Sequence, residues 1–68
     1  MSTYKIVEII GTSELSWDDA ARNALETARK SIHDIRIAEV TQMDLKLEEG
    51  TLLYRTRMKL SFKYIGSN

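Results

Sequence analysis

The chain has 68 residues; its ten basic and ten acidic side chains cancel, and it holds no cysteine, no proline and one histidine, His33. These facts exclude disulfides, a zinc site built from several histidines and cysteines, an overall positive charge that would draw nucleic acid, and any apolar run near the roughly 20 residues of a membrane span. A domain this small holds a core of about 3–5 kcal/mol, and with disulfides and zinc set aside oligomerisation is the remaining source of stability.

Tyr4 to Ile10 is rich in β-branched residues and stops at Gly11, which predicts a first strand. Its apolar run is short and broken by Glu8, so the opening residues do not form a signal-peptide pattern. The reading is a cytoplasmic chain whose residues 1–68 form one domain. Gly11-Thr12-Ser13 is the expected turn, and Ser16 with Asp19 three residues on is a capping-box-like helix start.

A helix is predicted from about Trp17 to His33. Trp17, Ala20, Ala21, Ala24, Leu25, Ala28 and Ile32 recur at intervals that place them on one stripe, and small alanines at its centre let the helix lie close on a sheet. Arg22, Asn23, Glu26, Arg29 and Lys30 fall off the stripe, with Glu26 and Lys30 spaced for an ion pair along the helix.

Ile35 to Leu47 is the expected second strand. Ile35, Ile37, Met43, Leu45 and Leu47 share one parity, and Ala38 and Val40 take the other. Apolar residues on both faces predict contacts beyond the chain's own helix. Glu48-Glu49-Gly50-Thr51 is a hairpin turn. From Leu52 to Tyr64 alternation is nearly unbroken. Leu52, Tyr54, Thr56, Met58, Leu60, Phe62 and Tyr64 point one way, and Leu53, Arg55, Arg57, Lys59, Ser61 and Lys63 the other.

The order is β-α-β-β. The hairpin pairs strands two and three, and a crossover through the helix makes strands one and two parallel with a gap between them. Strand three fits that gap, giving an α+β fold: a three-stranded sheet of order 1-3-2 that partly wraps one helix. Strands one and two are then edges, open to pairing with another chain.

Candidate chemistry is sparse. Glu8 and Glu39 each interrupt an apolar strand, so each is placed to meet a basic side chain or a metal at a subunit interface. Glu48-Glu49 reads as a solvated turn, and Asp44 and Glu14 are weaker metal candidates still. The row Arg55, Arg57, Lys59 and Lys63 has acidic counterweights and no interleaved aromatics, so it reads as intersubunit ion pairs and solvated surface rather than a nucleic-acid stripe. Trp17 reads as core and His33 as a solvated helix-end residue. No nucleophile–base pair or phosphate-cradling glycine loop gives an enzyme any support.

Ile9-Ile10-Gly11-Thr12-Ser13 after strand one, the short β-α-β-β chain, and the long hairpin ending in Leu60-Ser61-Phe62-Lys63 together resemble the dodecins over essentially the whole sequence. That resemblance implies a hollow homododecamer that binds flavins in pairs at subunit interfaces and stores or sequesters them without catalysis. Flavin-binding members stack the ring on a tryptophan of strand two and bond its edge with a glutamine of strand three. Here those positions fall on Ile37 and Arg55. An isoleucine has no π face, and a guanidinium donates but cannot accept.

Asp34-Ile35-Arg36 and Arg55 resemble the non-flavin branch called calcium dodecins. The resulting expectation is a shell that binds, stores or buffers a small ligand or ion, with weak or no flavin binding and flavin (FMN or riboflavin) or calcium as the possible cargo. The alternatives are a flavin-storage shell with a variant pocket and a structural assembly without cargo.

Overall fold

A computed structural model describes residues 3–64. The elements are β1 (Thr3–Ser13), α1 (Trp17–Ala28), β2 (Ile35–Glu48) and β3 (Thr51–Tyr64). β3 is central and antiparallel to both neighbours, so the sheet order is β1-β3-β2, as the crossover argument predicts.

The alternation of β3 decides where the core forms. Thr56, Met58 and Leu60 are at most 1% exposed beneath the helix, while Arg55 and Arg57 lie half-buried on the opposite face. Ala28, Met58 and Leu60 are the centre of the core, packed by Val7, Ile9, Ala21, Ala24, Leu25, Ile32 and Ile35.

β1 runs three residues past its expected end. Gly11 is therefore inside the strand rather than in a turn, and it is where the helix approaches most closely. A Cβ on Gly11 would collide with the Ala20 carbonyl oxygen and come within 2.8 Å of the Ala24 Cβ. The strand ends at Ser13, whose Oγ accepts from the Leu15 backbone N–H (2.9 Å) and donates to the Asp19 carboxylate (2.7 Å). Ser16 caps α1 by accepting from Asp19 N–H at 3.0 Å. Asp19 does not close the capping box, because its carboxylate is taken by Ser13 and by Asn23.

The helix ends at Ala28, five residues before the expected end at His33. Lys30 and Ser31 donate to carbonyls three residues back, which tightens the chain into turns. Ile32 then folds onto the core, and Asp34, at φ 62°, turns the backbone into β2. Asp34 is among the few residue types that take this left-handed conformation readily. Lys30 thus lies beyond the helix, and Glu26 pairs with Arg29 instead (3.2 Å, both largely exposed).

The hairpin turn consists of Glu49 (φ 48°) and Gly50 (φ 81°). Two consecutive positive φ values are what a type I′ turn requires. β2 then pairs with β3 rung by rung, but with register shifts between Ile35 and Ile37 and between Val40 and Gln42. Each shift leaves an extra β2 residue, Arg36 and Thr41, as a bulge. The bulges correct the expected face assignment. Ile35, Ala38, Val40, Met43, Leu45 and Leu47 all lie on the helix side, opposite Phe62, Leu60, Met58, Thr56, Tyr54 and Leu52, while Ile37 lies on the other face opposite Ser61.

A helix of 12 residues is about 18 Å long, and a strand of 14 residues about 46 Å. The helix lies on β1 and β3 and leaves most of β2 uncovered. Val40, Met43, Leu45 and Leu47 consequently remain 48–79% exposed along one row. Trp17 reaches across from the helix start to β2, and no described helix is long and apolar enough to cross a membrane.

Candidate functional site

The sheet face away from the helix carries the polar side chains. Antiparallel rungs place directly opposed residues on the same face, so the register defines its rows. Ser61 lies between Ile6 and Ile37, Lys59 between Glu8 and Glu39, Arg57 between Ile10 and Gln42, and Arg55 between Thr12 and Asp44.

Arg55 and Asp44 form the strongest polar contact on this face. The Arg55 Nε donates to Asp44 Oδ1 at 2.6 Å and its Nη2 to Oδ2 at 2.8 Å, a two-point fork in which each side chain keeps 33% exposure. These hydrogen bonds hold the Asp44 carboxyl below its ordinary value against the opposing effect of burial, with the charges of Arg55 and Arg57 adding lesser contributions in the same direction as the bonds. The same bonds raise the Arg55 pKa.

Asp44 is also held from the other side of the sheet. The Trp17 Nε1 donates to the Asp44 carbonyl oxygen at 3.0 Å, and the Trp17 ring meets Tyr54 edge-on, centroids 5.1 Å apart. The Trp17 carbonyl in turn accepts from Thr56 Oγ1 at 2.9 Å. Trp17 is therefore less a core residue than a tie between the helix start and the hairpin.

The expected site residues lie on this one face but do not converge within the chain. Ile37 is 58% exposed beside Ser61, and Arg55 is six β3 residues away, about 20 Å along the strand. Glu8 and Glu39 flank Lys59 from opposite strands, about 10 Å apart across two strand spacings. Among the described residues no three His, Cys, Asp or Glu side chains gather as a metal site.

Asp44 is the residue that sequence reasoning undervalued, although a signal for it was present. Counting back from a two-residue turn at Glu49-Gly50 puts Asp44 opposite Arg55 on the fifth rung, an opposite-charge pair.

The dodecin family model matches residues 3–64, the whole of the described fold. The chain belongs to the dodecin family. It is 45% identical over 64 residues to the calcium dodecin of Mycobacterium tuberculosis, an alignment covering 93% of this chain and 90% of that protein. A crystal structure of the M. tuberculosis calcium dodecin, described as calcium-chelating with a novel calcium-binding site, superposes with a TM-score of 0.86 at 43% identity. That match covers 98% of this chain and 97% of the other. The dodecin of Streptomyces coelicolor matches with a TM-score of 0.88 at 33% identity, over 97% and 96% of the two chains. The β1-α1-β2-β3 order and the 1-3-2 sheet are those of the dodecin fold.

Proposed function

We propose that the chain assembles into a closed homo-oligomer, a homododecamer as the family resemblance implies, that holds or buffers a small ligand or ion in the cytoplasm without catalysing a reaction. The observation that carries this reading is the uncovered row Val40, Met43, Leu45 and Leu47. Full burial of a large apolar side chain contributes about 1.5–3 kcal/mol, and this row obtains that burial only against another copy. Residues that are far apart in one chain, Ile37 and Arg55, then line a pocket only where subunits meet.

Flavin binds weakly or not at all in this reading. Ile37 brings apolar area without a ring to stack on, and base–aromatic stacking contributes about 1–3 kcal/mol in comparable systems. Arg55 has no acceptor, and two of its donors are taken by Asp44. Calcium is the ion to test, given the 45% identical relative that carries it in its name. Calcium takes six to eight oxygens. Glu8 and Glu39, held apart by Lys59, contribute to such a shell only with donors from neighbouring copies, and otherwise serve as ion pairs.

Titration with riboflavin and FMN tests the ligand reading. Flavin fluorescence stays unquenched by the native protein and becomes quenched by the Ile37→Trp, Arg55→Gln double variant. Strong quenching by the native protein overturns it, and a double variant that still binds nothing removes Ile37 and Arg55 from the pocket.

A further inference from the structure

On the face away from the helix, Ile10, Gln42, Asp44, Arg55 and Arg57 line a narrow hollow that leaves no room for a water molecule. Two guanidinium groups enter it from β3. Arg55 and Arg57 are two residues apart on one face, about 7 Å along the strand. Among the described residues Arg57 makes no ion pair, and its rung neighbours are the uncharged Ile10 and Gln42. Two adjacent arginines are the donor set that recognises an oxyanion.

The place an oxyanion would take is already filled. The Asp44 carboxylate meets the Arg55 fork with both oxygens, as a bound carboxylate or phosphate would. It is held there by backbone as well, since the rung pairing with Arg55 and the Trp17 bond to its carbonyl both fix β2 at this residue. A partner tethered in this way competes at an effective concentration in the millimolar range, so a free anion at lower concentration does not displace it.

We propose that Asp44 is a specificity-determining residue that fills the oxyanion position of the Arg55–Arg57 hollow from within the chain and so excludes phosphate and phosphomonoesters from it. This inference rests on reading the Arg55 face as the ligand face, yet every residue it uses lies in one chain, so its test does not depend on assembly.

The probe is inorganic phosphate, followed through the arginine Nε–Hε NMR signals of the full chain. In the native protein the Arg55 signal does not move at phosphate concentrations well below a millimolar, where the tethered carboxylate outcompetes it. In Asp44→Asn both the Arg55 and Arg57 signals shift and phosphate binds at least about tenfold tighter, the scale of one hydrogen bond to a charged group. Adding Arg57→Gln to that variant reverses the gain. Asp44→Ser gives a second route to the same result if the asparagine variant does not fold, and an unchanged Trp17 emission verifies that the hairpin is intact, because Trp17 bonds only the backbone of residue 44. Phosphate binding to folded Asp44→Asn or Asp44→Ser that is no tighter than to the native chain overturns the inference. So does native protein that already binds phosphate at Arg55. A monomeric native protein, by contrast, overturns the shell reading and leaves the phosphate result standing.

Discussion

At the scale of single residues, the Asp44–Arg55 fork is the feature with the clearest consequence. A carboxyl whose pKa is lower in the folded chain than in the unfolded one contributes stability above its ordinary pKa, here 3.8, and loses it as the pH falls through the lowered value. Urea midpoints of native protein and Asp44→Asn therefore differ at neutral pH, with the native protein more stable. The gap narrows as the pH is taken below 3.8. A gap that stays constant through acid would show that the fork contributes nothing to the folded state. The pairing was legible in principle, because a two-residue turn fixes which β2 residue faces Arg55. Asp44 taken as an isolated acid, rather than as one rung of a ladder, gives no sign of it.

At the scale of elements, the helix and the sheet meet through Gly11. The absence of a side chain there lets the Ala20 turn of α1 rest on the β1 backbone, and the neighbouring Ala24 keeps the approach narrow. Gly11→Ala places a methyl group against a helix carbonyl that cannot rotate away. The helix must lift, and overpacking of this kind costs about 1–3 kcal/mol or more. Chemical denaturation is the check, and a variant as stable as the native chain would mean that the helix seat is looser than described.

The elements themselves were legible from periodicity, and the order 1-3-2 followed from the crossover and the hairpin. The misread details each have a local cause. No glycine marks the end of α1, so the stripe ran on to Ile32, which does join the core but from a turn. Strict period-two parity assigned the faces of β2 wrongly. The apolar positions 35, 38, 40, 43, 45 and 47 step by two except at two steps of three, and each longer step holds a bulge, at Arg36 and Thr41. Reading those steps as bulges collects the apolar residues on one face and leaves Ile37 on the other.

At the scale of the whole molecule, the body measures 51 × 21 × 16 Å, with a hairpin far longer than the helix that rests on the sheet. That mismatch was visible in the sequence as a long alternating segment with too little helix to cover it. In the proposed assembly, the residues of a neighbour that would complete the Ile37 and Arg55 positions are not encoded by spacing along a single sequence. The exposed row separates folding from assembly. Met43 and Leu47 are 57% and 79% exposed and take no part in the core cluster. Met43→Glu with Leu47→Glu accordingly keeps the far-ultraviolet spectrum and the Trp17 emission of the native chain while abolishing its association in size-exclusion chromatography. A doubly charged variant that still elutes with the native oligomer would place the interface elsewhere.

The most direct test of the central claim is a native mass spectrum of the protein purified without added ligand. The expected spectrum is that of a closed homo-oligomer of twelve copies that carries no flavin and either no added mass or only that of small ions. A monomer would contradict the assembly on which the functional reading stands, and a twelve-mer with a matching complement of flavin would contradict the ligand reading drawn from Ile37, Arg55 and Asp44.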